Sequence, residues 1–142
     1  MINKTLVYER LAFICEAVKK LESYSRIELK QFAGSDQAAA AESYLRRALE
    51  AIFDVGRHIL SKLGEYELAS EYKSIAVGLA KRGVVTPELG AQLVEMTGYR
   101  NRLVHFYHQV SDEELHEIIR HDLGDVRQFI SEIKSFVAKG SN

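Results

Sequence analysis

The sequence predicts an all-α fold, an antiparallel helical bundle with one short additional helix, and three observations carry that expectation. Apolar residues recur at alternating spacings of three and four along nearly the whole chain, the period of a helix with one buried face. A single proline and an abundance of Ala, Leu, Glu and Lys favour helix throughout. No strand-like alternation, internal repeat or low-complexity tract interrupts the pattern. The 142 residues are most simply one domain spanning 1–142. A chain of that size buries about 70% of its unfolded surface and needs no metal or disulfide staple.

Asn3 can cap a first helix, in which Val7, Leu11, Ile14, Val18 and Leu21 make one apolar stripe ending near Glu22 to Tyr24. Ser25 to Phe32 reads as a short helical turn with Ile27 and Phe32 as core contacts. Ser35 or Asp36 starts a long second helix. Leu45, Ala48, Ile52, Val55, Ile59 and Leu63 form its buried side, widened by Leu49, Phe53 and Leu60, which implies more than one neighbour. Gly64 is a C-cap candidate. Leu68 to Ala80 is a shorter helix ended by Gly83. Thr86-Pro87 is a sharp start signal, because proline at the first helical position has no amide to leave unpaired. From there Leu89, Leu93, Met96, Leu103 and Val104 define an inward side. Ser111 and Glu114 have capping-box spacing. Leu115 to Val137 forms the last apolar pattern, with Asp122 and Gly124 placed to bend or restart it, and residues 139–142 should fray.

The formal net charge of -1 excludes a chain that attracts nucleic acid through its overall charge; any such role needs a local basic surface. Cys15 is the only cysteine, so no intrachain disulfide can form, and its apolar surroundings suggest a buried thiol. No apolar run approaches the roughly 20 residues of a membrane span, and the N-terminus carries no signal-peptide pattern. The cytoplasm is the expected compartment.

One stretch stands out. Tyr99 to His108 holds two arginines, two histidines and two tyrosines, with no acid, at the end of the helix begun by Pro87. Arg100 and Tyr107 lie seven residues apart, so on one regular helix they are separated by roughly 20°, whereas His105 points about 140° away from Arg100. A straight helix therefore does not converge Arg100 and His105 on one ligand. Either the helix unwinds near Val104 to His105, or the site is assembled across a two-fold subunit interface. Arginine offers a planar fork of donors for phosphate. Histidine, with an ordinary pKa of about 6.5, can take and return a proton at neutral pH. Together they can cleave an RNA phosphodiester without metal, with the substrate's own 2′-hydroxyl as nucleophile and a cyclic phosphate as product. The bland alternative is a solvated patch of helix-end charges.

The run Arg100-Asn101-Arg102-Leu103-Val104-His105-Phe106-Tyr107 resembles the signature of the HEPN superfamily, specifically its HepT-like branch (DUF86): Arg, four residues, His, one residue, Tyr, with Asn after the Arg. Ala39-Ala40-Ala41-Glu42, Asp54, His58 and the approach from Gly83 to Thr86-Pro87 extend the likeness, which reaches from the first helix to Phe136. The resemblance implies a HEPN-like bundle, a homodimer with Arg100 and His105 at its cleft, and a metal-independent ribonuclease toxin needing no cofactor. It also implies a minimal nucleotidyltransferase antitoxin as partner, which silences the toxin by AMPylation of Tyr107. Asn101 and Tyr107 are the implied substrate-positioning residues. The acidic residue that follows the motif in the family often comes sooner than Asp112 does here.

Arg102, His108, Arg46 and Arg47 are candidates for RNA or partner contact, against ordinary surface ion pairs, with Arg57 extending the basic side of the second helix. Asp54 and His58 share a helical face and can pair, but they are too few to define a metal site. His116 and His121 are expected to face solvent or a helix cap. Two other functions stay open: a non-catalytic nucleotidyltransferase substrate or regulatory binding protein, and a purely structural dimer.

Overall fold

The computed structural model describes residues 1–105 and 110–140. Every regular element among them is helical: α1 (Lys4–Ser25), α2 (Leu29–Phe32), α3 (Asp36–Lys62), a 3₁₀ turn (Leu68–Ser70), α4 (Tyr72–Lys81), α5 (Pro87–His105), α6 (Asp112–His121) and α7 (Leu123–Ala138). They form an all-α bundle in which α3 is central, packed against α1, α4, α5 and α6. The first helix also lies on α6 and α7, and α4 lies on α5.

Helix starts follow from local chemistry. The Asn3 side chain accepts from the Leu6 amide at 3.1 Å, Ser35 Oγ from Ala38 at 3.2 Å, and Thr86 Oγ1 from Leu89 at 3.2 Å, each satisfying an amide that has no partner within its own helix. Gly64 and Gly83 take φ of +83° and +71° just beyond α3 and α4, a backbone that costs glycine little. The stripe of α1 is buried as its spacing predicts, and α3 buries a side broad enough for its several neighbours.

Several expectations change. The helix expected over Leu68 to Ala80 is broken at Glu71, whose backbone is extended; Ser74 Oγ lies 2.7 Å from the Leu68 carbonyl and 2.9 Å from the Glu71 carbonyl, shares its one proton between them and holds that break. The last apolar pattern does restart at Asp122, as expected there, and divides into α6 and α7. Cys15 is exposed, not buried, because it sits about 100° around α1 from Ile14 and off the stripe. Val104 is 37% exposed, since Leu103 takes the inward position at that turn. His116 is buried, with its ring against Phe32 at a centroid distance of 5.0 Å and Nε2 at 2.7 Å from the Ile27 carbonyl, so it ties α6 to the α1–α2 connection. His121 does stay at the surface, beside Glu117.

Two glycines set how closely the central helices approach. A Cβ added at Gly56 would lie 2.6 Å from Ile75 Cγ2, and one at Gly90 would lie 2.6 Å from Ala80 Cβ. Helix α4 is thereby drawn tight against both α3 and α5. This places its first residue, Tyr72, between the long helix and the motif-bearing one.

Candidate active site

Helix α5 stays wound through His105. Of the two arrangements the spacing allowed, unwinding before His105 is therefore absent. Arg100 and His105 lie on different sides of one regular helix. Tyr107 and His108 fall outside the described residues.

Arg100 is fixed by three groups. Its Nε donates to Glu50 Oε1 at 2.6 Å, Nη2 donates to the Tyr72 hydroxyl at 2.9 Å, and Nη1 donates to Asn101 Oδ1 at 3.1 Å. Its Cζ also lies 3.8 Å from the Tyr72 ring centroid, in cation–π range. The side chain is only 12% exposed. Tyr72 is braced in turn: its hydroxyl donates to Glu50 Oε2 at 3.1 Å, and its ring meets Phe53 edge-on at 5.2 Å. Glu50 thus bridges the arginine from α5 and the tyrosine from α4, using one carboxylate oxygen for each. Of the five N–H groups of a guanidinium, these bonds occupy three and leave two.

Neither Glu50 nor Tyr72 stood out in the sequence, and Asn101 turns its side-chain oxygen to the arginine. His105, in contrast, is exposed at the helix end. Arg102 points elsewhere, forming a two-pronged pair with Glu114 at 2.7 and 2.5 Å. The hydrogen bond from Arg102 holds the Glu114 carboxyl below its ordinary range. Because Glu114 is engaged there, only half of the expected capping box forms: Ser111 Oγ accepts from the Glu114 amide at 3.1 Å.

The remaining basic candidates are also engaged locally. Arg46 lies 3.6 Å from Glu42, and Arg47 stacks over Phe13 and Tyr44 at 5.4 and 5.1 Å. Arg46, Glu42 and Glu50 line an open groove of about 460 Å³ floored by Leu103 and Val104, directly beside the arginine network. Asp54 and His58 do not pair with each other. Asp54 takes Arg57 at 3.1 Å, while His58 Nε2 accepts the Asn3 amide at 2.9 Å. Burial, then the charges of Lys62 and the N-terminal amine, lower the His58 pKa. Tyr99 faces away toward Asp122, and its pKa is raised by burial and then by that carboxylate. Among the described residues no group of three or more His, Cys, Asp or Glu side chains gathers in a way that could hold a metal. No helix among them is long and apolar enough to cross a membrane.

Comparison with known proteins gives this arrangement a context. The chain is similar to the tRNA nuclease HepT of Aphanizomenon flos-aquae, 28% identical over 137 residues that cover 96% of this chain and 92% of that protein. It is also similar to the mRNA nuclease HepT of Shewanella oneidensis, 30% identical over 91 residues, 64% of this chain and 68% of that one. Among solved structures, the tri-AMPylated HEPN toxin of Shewanella oneidensis in complex with its MNT antitoxin superposes with a TM-score of 0.79 at 25% identity, covering 92% of this chain and 97% of that one. The cytosolic protein YutE of Bacillus subtilis shares the fold at a TM-score of 0.83 and 19% identity, over 99% of this chain and 94% of that one. The model of the Ribonuclease HepT-like family matches residues 14–133. The chain belongs to that family.

Proposed function

We propose that this chain is a single-domain, cytoplasmic, metal-independent RNA endonuclease toxin. It acts as a homodimer whose cleft joins Arg100 and His105, and a nucleotidyltransferase antitoxin silences it by AMPylation of Tyr107. The observation that carries the reading is the fixed Arg100 fork on the same unbroken helix as an exposed His105, in a chain of the HepT-like ribonuclease family. The relatives named as tRNA and mRNA nucleases support the substrate class, and the tri-AMPylated toxin in complex with its antitoxin supports the partner and the modification.

In the proposed reaction His105 takes the proton of an RNA 2′-hydroxyl, and the freed oxygen attacks the adjacent phosphorus. The bond to the 5′ oxygen breaks, and that oxygen receives a proton from imidazolium. A 2′,3′-cyclic phosphate and a 5′-hydroxyl remain. Arg100 stabilises the charge that builds on the non-bridging oxygens. A two-fold dimer supplies two imidazoles, so base and acid stand on opposite sides of an in-line displacement. AMP groups on Tyr107, two residues from His105, put anionic phosphate and bulk where the RNA phosphate must sit.

Incubating the purified protein with RNA in chelator tests the reading. Cyclic-phosphate products that fall to a small residual rate in R100A and H105A support it; cleavage retained in both variants refutes it. Intact mass after incubation with the nucleotidyltransferase and ATP tests the modification, which should be absent in Y107F. A mass increase in a protein that cuts no RNA would favour a non-catalytic substrate or regulatory protein instead.

A further inference from the structure

We infer that Glu50 and Tyr72 are positioning residues that set the plane of the Arg100 guanidinium, so that its two remaining N–H groups form the fork that receives the scissile phosphate. The inference rests on the nuclease reading above and adds two residues from other helices to it. Four observations converge on one arrangement. Nε, the innermost nitrogen, is bound to Glu50 at 2.6 Å, which fixes the rotation of the group about its own stem. Nη2 is bound to the Tyr72 hydroxyl at 2.9 Å. The Tyr72 ring covers the guanidinium at 3.8 Å. Glu50 Oε2 accepts from that same tyrosine hydroxyl at 3.1 Å, closing a ring of contacts in which no member can turn alone.

A carboxylate beside a phosphate-binding arginine has two opposite meanings. Glu50 could occupy the fork and compete with RNA, or it could hold the fork open from behind. The donor count favours the second. Glu50 takes only Nε, and the carboxylate is shared with Tyr72 instead of gripping the guanidinium at two nitrogens. A guanidinium with one face on an aromatic ring, three N–H groups bound and little exposure loses little freedom when phosphate binds. That is the preorganisation a charge-stabilising donor needs.

The test measures single-turnover cleavage, in chelator, by wild type, R100A, E50Q, Y72F and the double variant E50Q/R100A. Binding of an RNA with a 2′-deoxy scissile position and thermal unfolding are measured alongside. E50Q should lower the cleavage rate roughly 10- to 100-fold and Y72F about 10-fold, with RNA affinity and unfolding temperature near wild type. E50Q should add nothing to R100A, because it acts only through that arginine. Wild-type rates in both E50Q and Y72F, faster cleavage in E50Q, or a further loss in the double variant would overturn the inference while leaving the nuclease reading intact. A wild-type protein that cuts no RNA sinks the nuclease reading, and the positioning role with it. Should E50Q fail to fold, Y72F alone decides.

Discussion

Arg100 and Glu50 are 50 residues apart in sequence and 2.6 Å apart in space, joined through Nε of the arginine. That choice of nitrogen makes lysine a poor substitute at this position. A lysine keeps the charge but has no second set of donors to present once Glu50 is bound. R100K should therefore lose cleavage roughly 100-fold or more, within the range seen when a single transition-state donor is removed. Single-turnover assays check this, and an R100K rate within about threefold of wild type would show that charge alone suffices.

The approach of α4 to α5 yields a pair of stability predictions. Alanine in place of glycine inside a helix ordinarily gains about 0.5–1 kcal/mol. At Gly98 the added Cβ meets nothing within 4 Å, so G98A should stabilise by about that amount. At Gly90 the same atom lies 2.6 Å from Ala80 Cβ, and overpacking of about 1–3 kcal/mol should outweigh the gain. Urea unfolding of both variants should move in opposite directions. Equal shifts would contradict the close packing that places Tyr72.

His58 predicts a pH dependence of stability. Its folded pKa lies below the ordinary value of about 6.5, through burial first and then through Lys62 and the N-terminal amine. The folded state therefore holds fewer protons than the unfolded one, and the contribution is complete above the ordinary value. It is lost as pH falls through the lower folded value, where protonated Nε2 can no longer accept the Asn3 amide. Urea midpoints should fall between about pH 7.5 and 5.5, and less steeply in H58Q. The comparison isolates His58 from Asp122 and Asp125, whose pKa values are raised by burial and which act with the opposite sign. Identical profiles for the two proteins would count against this role.

Arg102 joins the end of α5 to the start of α6 through Glu114. Removing it in R102A should expose the first turn of α6, seen as faster amide hydrogen exchange at Leu115 and His116, with the centre of α3 unchanged. Because the pair lowers the Glu114 pKa, the wild-type protection should weaken in acid as pH drops through that lowered value. Unchanged exchange in R102A would make the pair a passive surface contact.

How much of this was legible in the sequence depends on how local the cause is. Asn3, Ser35 and Thr86-Pro87 mark helix starts because a cap acts within three residues. The break at Glu71 was missed because Ser74 reaches back to Leu68 only once the turn has formed. Cys15 was misread because an apolar neighbourhood in sequence is not an apolar face in space. The candidate site divides in the same way. Arg100 and His105 are marked by their run, but Glu50 sits beside the broad stripe of α3 as an ordinary flanking acid, and Tyr72 reads as a core aromatic. Their shared purpose exists only after α3, α4 and α5 are packed. A glutamate next to Leu49 on a helix touching several neighbours was the one hint available.

The central claim is that Arg100 and His105 act on one phosphate across a subunit boundary, since a wound α5 turns them to different sides. Mixing R100A with H105A after dissociation and reassociation tests it most directly. A mixed dimer holds one site with an intact arginine from one protomer and an intact histidine from the other. Half the dimers should be mixed, each with one arginine and one histidine facing a common phosphate but without the second imidazole, so cleavage should rise well above the near-zero rate of either variant alone while staying below about a quarter of the wild-type rate. Mixed dimers that form, by mass, yet cut no more RNA than the separate variants would contradict the claim.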